Sequence, residues 1–234
     1  MKKRNSKTNR RRRKQKSWKK WGRGVAYAIS FSLAFLMSYL LSSCDDHDDM
    51  YDSGIRVGNI LLSDNTMVSP DGYDAINMTA VGVVFYARGD TAIAVAPDEL
   101  GDCCFSDTIG SVNGASKDTY SIDGLTSTAA LMTSSFNTPA AKACVTYSSP
   151  LSGWYLPSAG ELRALAACLG TVSRSMKVIG GTPFDDVQYL SSSEDNSSSS
   201  NAVLNCYCVS LLRGYAVAVP KTEAHRVRPV ILIH

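Results

Sequence analysis

Histidine is scarce in this chain, which has only three in 234 residues. His47, His225 and His234 are well separated, and no spacing of histidine and cysteine matches a zinc pattern. Asp185 and Asp186 are adjacent, so in an extended segment their carboxylates project to opposite faces, which is ill suited to paired acid–base catalysis. We therefore predict that the protein is not an enzyme and that it uses no metal or other cofactor.

Acidic residues are absent before Asp45, whereas thirteen Lys or Arg residues lie between Lys2 and Arg23. An uncharged run follows at positions 25–41, VAYAISFSLAFLMSYLL. A basic segment, an apolar stretch and small residues before a cleavage point are typical of a secretory signal. We predict that residues 1–43 are a signal peptide. A single membrane-spanning anchor is an alternative, because 17 residues lie at the short end of the spanning range; a basic nucleic-acid-binding tail is another.

The apolar run ends in Leu41-Ser42-Ser43-Cys44. This tetrapeptide resembles the lipobox of bacterial lipoproteins, which implies that Cys44 carries lipid and becomes the first residue of the mature protein. Residues 44–54 are acidic and have little to bury, which predicts a tether. Acidic residues directly after the lipid cysteine also resemble the surface-export signal of Bacteroidota lipoproteins. We expect a lipid-anchored protein of the outer membrane, displayed at the cell surface; an ordinary solvated linker is the alternative.

Removal of residues 1–43 reverses the charge balance. Eleven basic residues then face 21 acidic ones, a net charge of about −10. No basic patch remains in the sequence, so we expect no nucleic-acid partner. Residues 55–234 are enough for one domain with its own core. Abundant Gly, Ser and Thr and little long helical periodicity favour a protein of strands and loops with a few helices.

Six cysteines follow Cys44. Outside the cytoplasm they are able to pair, and six cysteines allow 15 connectivities, so the sequence does not choose among them. Cys206 and Cys208 are predicted to share one face of a strand, about 7 Å apart, which is too far for an easy bond. The other four are Cys103, Cys104, Cys144 and Cys168.

The first half of the domain shows several strand and helix patterns. Residues 55–62 alternate loosely and predict a strand. Two apolar runs, at 81–86 and 92–96, flank Arg88-Gly89-Asp90 and predict a hairpin. Residues 101–125 are predicted to be loop, and a helix is predicted from Pro139 to Tyr147.

Ser158 and Glu161 have the Ser-x-x-Glu spacing of a capping box, which predicts that a helix starts at Ser158. Four apolar residues then recur at i, i+3, i+4 and i+7 from Leu162, forming one buried stripe. Gly170 is predicted to end this helix. The large residues before the cap are predicted to be core, namely Trp154 and Leu156.

The last third is predicted to contain a flexible polar segment at 191–200 and strands at about 202–211, 214–219 and 226–233. Four segments, taken in order, are similar to the Lcl C-terminal family within the C-type-lectin and formylglycine-generating-enzyme-like superfold. The resemblance spans roughly 56–234 and implies a compact α+β domain with a C-type-lectin-like fold. Such a domain has a twisted antiparallel sheet, two flanking helices and long loops that carry the binding face. The segments are Gly153-Trp154-Tyr155-Leu156-Pro157-Ser158, Glu161-Leu162, Tyr189-Leu190-Ser191-Ser192-Ser193-Glu194 and Arg226-Val227-Arg228-Pro229-Val230.

The sequence differs from that family's pattern at several positions, and these differences exclude some of the functions that the family would suggest. Leu190 stands where the family usually has tryptophan. The Glu-Pro-Asn, Gln-Pro-Asp and Trp-Asn-Asp tripeptides of calcium-dependent lectins are absent from the sequence, so calcium-bridged sugar binding is unsupported. Cys206 and Cys208 do not match the copper-binding pair of the formylglycine-generating oxidases, which leaves that activity as a weak alternative.

The stretch at 201–215, NAVLNCYCVSLLRGY, resembles the hypermutated region of the variable proteins of diversity-generating retroelements. In those proteins, variation falls at adenine-rich codons and replaces Asn by many other residues. The alternative is ordinary strand sequence, because Val203, Tyr207 and Val209 share one pleat face and suit a core.

These patterns favour a surface-anchored binding module whose partner is a surface protein or glycan. A structural or adhesive subunit of a fimbria or envelope assembly is the main alternative. Tyr and Arg are the residue types that most often anchor interfaces. The predicted ligand-contacting residues are Asn201, Asn205, Tyr207, Ser210, Arg213 and Tyr215.

Overall fold

A computed structural model describes residues 55–234 of the protein. The predicted signal peptide, the predicted tether and the predicted lipidation site Cys44 lie outside these described residues. Within them, no helix is both long and apolar enough to cross a membrane. The strands are β1 (Ile60–Leu62), β2 (Met67–Val68), β3 (Ala80–Arg88), β4 (Thr91–Val95), β5 (Asp102–Cys104), β6 (Trp154–Tyr155), β7 (Gln188–Glu194), β8 (Asn205–Ser210), β9 (Tyr215–Pro220), β10 (Ala224–Arg226) and β11 (Val230–Ile233). The helices are a 3-10 turn (Pro70–Gly72) and α1 (Gly124–Thr133), α2 (Pro139–Val145), α3 (Ala159–Ala167), α4 (Leu169–Val178) and α5 (Ser199–Leu204).

The strands form two sheets. The first has the order β2-β1-β3-β4-β11-β6, and every neighbouring pair in it is antiparallel. The second has the order β5-β10-β7-β8-β9, in which β10 and β7 are parallel and the other pairs antiparallel. The α+β class is therefore confirmed. The prediction of one antiparallel sheet with two helices is wrong in detail, since the described residues contain two sheets, one of them mixed, and five α-helices.

Three groups of buried side chains hold these layers together. The largest joins the first sheet, α3, α4 and strands β7 and β8 of the second sheet. The opposite face of the first sheet forms a smaller group, which includes Trp154. The opposite face of the second sheet packs on α1 and α2. Trp154, Tyr155 and Leu156 each belong to a different group, so this short extended segment ties all three together.

The capping box at α3 is confirmed. Ser158 Oγ accepts the Glu161 N–H at 3.1 Å, and Glu161 Oε2 accepts the Ser158 N–H at 2.8 Å. Glu161 also accepts hydrogen bonds from Tyr155 and from the Gly124 N–H. Burial outweighs these hydrogen bonds and raises the pKa of Glu161 to about 7, with Asp123 contributing a smaller increase. The cap carboxyl is thus a buried acid that titrates near neutrality.

This raised pKa predicts how stability varies with pH. The folded domain binds the Glu161 proton more tightly than the unfolded chain, whose carboxyl titrates near 4.5. The stabilisation is complete below that value and is lost as the pH rises through about 7, an effect on the order of 3 kcal/mol. Urea unfolding of Glu161→Gln at pH 4.5, 6 and 7.5 should show a flatter dependence than the native chain. Equal slopes for the two proteins would contradict the assignment.

Some of the strand, hairpin and helix predictions for the first half of the domain are confirmed, and others are wrong. The hairpin of β3 and β4 is confirmed, with Gly89 at φ 59° in its turn, and so is the helix that begins at Pro139. The strand predicted at 55–62 is only β1, because Gly58 at φ 94° turns the backbone before it. Gly170 does not end the helical region, since it lies in the first turn of α4. Residues 101–125 contain β5 and are otherwise largely irregular.

The prediction of a flexible segment at 191–200 is wrong. Residues 191–194 are fully buried in β7, and the hydroxyls of Ser191 and Ser193 have hydrogen-bond partners inside the protein. Ser191 Oγ donates to the Tyr207 carbonyl at 2.7 Å, and Ser193 Oγ accepts the Ala159 N–H at the start of α3 at 3.0 Å. Residues 199–204 then form α5, and the segment predicted as one strand at 226–233 divides into β10 and β11, which belong to different sheets.

Candidate functional site

A groove of about 650 Å³ lies beside the tip of the β8–β9 hairpin. We call it the hairpin-tip groove. One wall is the turn between β8 and β9, the floor is one side of α3, and β3 and the loop before α1 complete it. Its lining residues are Tyr86, Tyr120, Ile122, Gly160, Arg163, Ala164, Ala166, Ala167, Leu211, Leu212, Arg213 and Gly214.

Close approach of a loop to α3 brings two of these residues together. A Cβ at Gly160 would overlap the backbone of Tyr120 and Ser121, so glycine is what allows the loop to lie directly on the helix. The contact positions the Tyr120 ring 4.3 Å from the guanidinium carbon of Arg163, a cation–π arrangement. Arg163 is thereby held at the groove, while Tyr120 remains 70% exposed.

The charge of the groove is opposite to that of the domain. Residues 55–234 contain 11 Lys or Arg and 16 Asp or Glu. Arg163 and Arg213 line the groove and no acidic residue does. Among the described residues, no carboxylate lies within 4 Å of either guanidinium; the ion pairs involve other cations. A smaller depression of about 370 Å³ beside α4, by contrast, is lined by both Arg174 and Asp71.

The six residues predicted to contact ligand fall into two separate places. Arg213 lines the groove, and Tyr215, which follows the turn, is 44% exposed. Ser210 is only 5% exposed, so its prediction as a contact residue is wrong. Its position near the tip does not make it accessible, because its backbone pairs with Tyr215 and its side chain turns inward.

The other three predicted residues lie in α5 (Asn201) and in the first half of β8 (Asn205 and Tyr207), and they bond to a turn at 195–197. Tyr207 Oη lies 3.0 Å from Asp195 Oδ1, and Asn205 Nδ2 donates to Asp195 Oδ2 at 3.4 Å. Asn201 Nδ2 donates to Ser197 Oγ at 2.6 Å. Although burial acts in the opposite direction, hydrogen bonds from Ser197 and Tyr207 hold the pKa of Asp195 below its usual range. These polar groups therefore already have partners within the chain.

The alternative reading of β8 as core is partly confirmed. Val209 is fully buried in the largest core group, and Tyr207 packs against that group. Cys206 and Cys208 both belong to the group on the other face of the sheet, as the alternation of a strand predicts. Val203 lies in α5 and not on the strand.

A buried ion pair supports the segments around this end of the sheet. Lys221 and Glu194 are both fully buried, with 2.5 Å between Nζ and Oε1. Lys221 Nζ also donates to two backbone carbonyls, those of Gly110 at 2.5 Å and Ala202 at 2.7 Å. Glu194 Oε1 accepts the Val112 N–H at 2.7 Å. The pair thus connects β7, the end of β9, α5 and the loop at 110–112.

Of the predicted ligand-contacting residues only Arg213 lines the groove, so Tyr86, Tyr120 and Arg163 are among the lining residues that the sequence did not predict. Tyr86 comes from an apolar run predicted as a hairpin strand, and Tyr120 from a segment predicted as loop. Arg163 lies on the helix predicted to start at Ser158, and its position off the apolar stripe of α3 was the one available signal. The capped helix therefore also contributes to the concave surface.

The six cysteines of residues 55–234 are free thiols in this structure. Burial raises the pKa of Cys206 to about 12 and that of Cys168 to about 11, and it also raises the pKa of Cys208. A thiol with a raised pKa is protonated at neutral pH and is a poor nucleophile. Within the described range, no three His, Cys, Asp or Glu side chains come together as ligands for a metal ion.

Comparison with other proteins assigns neither a family nor a function to this chain. No known protein family matches the chain, and no curated protein is similar to it in sequence. The site must therefore be judged on its own geometry. That geometry combines exposed apolar and aromatic side chains, two cations and a concave shape, which are features of a binding site.

Proposed function

We propose that the protein is a lipid-anchored binding module of the outer membrane, displayed at the cell surface, and that its ligand docks at the hairpin-tip groove. The observation that carries the proposal is the turn between β8 and β9. It exposes Leu212, 54% accessible, together with Arg213 and Tyr215, beside a concave surface. Exposed apolar and aromatic side chains around a groove are expected where a partner covers them.

We also propose that the domain has the C-type-lectin-like fold. The α+β architecture and the capped α3 helix agree with that resemblance. Its closing motif has a folding role here: Arg228 is 1% exposed and donates to the carbonyls of Pro97 and Thr182 at 2.7 and 2.6 Å. Its guanidinium carbon also lies 4.3 Å from the Phe184 ring. A ligand site on the loops and turns around such a scaffold is typical of binding modules.

The rival proposal, a fimbrial or envelope-assembly subunit, depends on a strand that is exchanged between copies. The last strand, β11, is paired on both sides within the chain, by β4 and by β6. Along residues 55–234, the first strand is likewise paired on both sides. This arrangement favours a closed binding domain over donation of a terminal strand.

Lipid anchoring predicts the behaviour of the precursor. Wild-type protein should be processed and should incorporate labelled fatty acid, and Cys44→Ala should abolish both, because the thiol is the acylated group. Two or more acyl chains hold a protein far more firmly than one, at about 0.8 kcal/mol per buried methylene. Intact mass and metabolic labelling measure the result. Wild-type protein that keeps Met1 would contradict the proposal.

Ligand binding at the turn predicts which substitutions matter. The mature protein is screened against arrayed glycans and intact cell surfaces, and variants are titrated with whatever binds. Arg213→Ala and Tyr215→Ala should each weaken binding by about 1–2 kcal/mol and leave thermal unfolding unchanged. Tyr207→Phe is the matched control on the same hairpin, since it removes only a hydroxyl that already has partners. Undiminished binding by Arg213→Ala and Tyr215→Ala would place the ligand elsewhere.

A further inference from the structure

We infer that the hairpin-tip groove selects acidic glycans, binding a sugar ring that carries a carboxylate. This inference deepens the proposed function and rests on it, because it names the chemical class of ligand for the same groove. It starts from the two cations. Arg163 and Arg213 come from separate elements, α3 and the β8–β9 turn, and are brought to one concave surface only by the fold.

The domain offers these cations no acidic partner. Arg226 contacts Glu99, Asp102 and Asp185, and the buried Lys221 contacts Glu194. Arg163 and Arg213 are different, since within residues 55–234 no carboxylate lies within 4 Å of them, although acidic residues outnumber basic ones. An anionic group entering the groove meets two guanidiniums and no competing acid. Arg presents its donors in a planar fork that matches a carboxylate.

The rest of the lining offers a surface for a ring. Ala164 and Ala167 form a floor with little side-chain bulk, and Tyr86 and Tyr120 supply aromatic surface. In the described part of the chain, neither tyrosine hydroxyl has a hydrogen-bond partner, so both are available to sugar hydroxyls. An apolar and aromatic surface with a few convergent polar groups is typical of small-ligand sites.

The groove suits a sugar acid better than an acidic peptide. An extended peptide is commonly held by main-chain hydrogen bonds to the edge of a sheet. The floor here is α3, and the backbone groups in the middle of a helix are already bonded to one another. A peptide would have to be recognised by side chains alone. A sugar acid needs only a carboxylate contact, ring packing and hydroxyl contacts, and the groove offers all three.

The test uses the mature protein and three sugar acids, namely glycosides of glucuronate, galacturonate and N-acetylneuraminate. Each is paired with its methyl ester, which keeps the ring and removes the charge. We expect at least one acid to bind tenfold or more tightly than its ester, with affinity falling as salt is raised because Arg213 is exposed and Arg163 is only half-buried. Calorimetric titration measures both effects. If no acid binds more tightly than its ester, the inference is overturned.

Variants locate the contact. Arg163→Gln and Arg213→Gln should each weaken binding of the preferred acid about tenfold and leave binding of its ester unchanged. Arg174→Gln is the control, because it removes the same charge from the depression beside α4. Thermal unfolding shows whether each variant is folded. Equal affinity of the native protein and both groove variants for the acid would also overturn the inference.

Failure of this inference is distinguishable from failure of the proposed function. A neutral glycan or a protein that binds and depends on Tyr215 would keep the binding module and reject the acidic sugar. An acidic peptide that depends on Arg163 and Arg213, with no sugar acid preferred over its ester, would reject it as well. A ligand unaffected by any change at the turn would reject both.

Discussion

Replacing Lys221 by Met is expected to lower the free energy of unfolding by about 3–5 kcal/mol. The change leaves the buried Glu194 carboxylate without its close, buried cation, and leaves the carbonyls of Gly110 and Ala202 without their donor. A buried charge that loses its partner costs far more than a surface pair is worth, because no water replaces the lost interaction. Urea unfolding at pH 7 measures the difference.

Lys117 provides a matched control on the same carboxylate. Its ammonium lies 3.9 Å from Glu194 Oε2, but its side chain is 49% exposed. Lys117→Met should therefore change stability by less than about 1 kcal/mol. The double variant Lys221→Met with Glu194→Leu should lose less than the sum of its single changes, since the uncompensated charge is gone. A Lys221→Met protein as stable as Lys117→Met would show that the pair does not hold the domain.

The Trp154→Ala substitution is expected to cost about 3–5 kcal/mol. The indole is 3% exposed and lies edge to face with Tyr147, with 5.1 Å between ring centroids. Its Nε1 donates to the Leu151 carbonyl at 2.8 Å. Truncation leaves a cavity on one face of the first sheet, and the neighbouring Tyr155 and Leu156 anchor the other two core groups. We therefore expect Trp154→Ala to lower the stability of the whole domain, which should still unfold in a single transition.

Two controls separate packing from other effects. Trp154→Phe keeps an aromatic ring and loses only the N–H contact and part of the volume, so it should be clearly more stable than Trp154→Ala. Tyr120→Ala removes a ring that is 70% exposed, so its effect on the melting temperature should be small. If Trp154→Ala unfolded at the same temperature as the native protein but lost ligand binding, the assignments of scaffold and site would be reversed.

Short-range patterns were the ones that sequence predicted well. The cap at Ser158, the hairpin around Gly89 and the helix from Pro139 each depend on residues only a few positions apart, so their signals are local. The buried serines at 191–193 were misread for the opposite reason. Their polarity indicates a flexible segment, whereas in the folded domain distant groups bond two of them: the Ala159 N–H donates to Ser193 and the Tyr207 carbonyl accepts from Ser191. The exposure of Ser210 was misjudged in the same way.

The residues of the groove illustrate the same limit. Arg213, which lines the groove, and Tyr215 beside it were predicted because Arg and Tyr most often anchor interfaces and both lie among the late strands and loops. Arg163 and Tyr120 were not, since they come from a helix and a loop that meet only because Gly160 permits close backbone contact. The ion pair of Glu194 and Lys221 is equally hidden, because 27 positions separate its members.

The sequence by itself predicted the export signal, the lipid anchor and the capped helix, because each depends on neighbours along the chain. It also predicted the α+β class, through the resemblance of four short segments to a known family. Only the tertiary structure decided that the strands divide into two sheets and that two cations share a groove. It also decided that three of the six predicted contact residues hydrogen-bond to the turn at 195–197. Those features depend on contacts between residues far apart in sequence, and the burial that selects such contacts is a property of the packed chain and of no single segment.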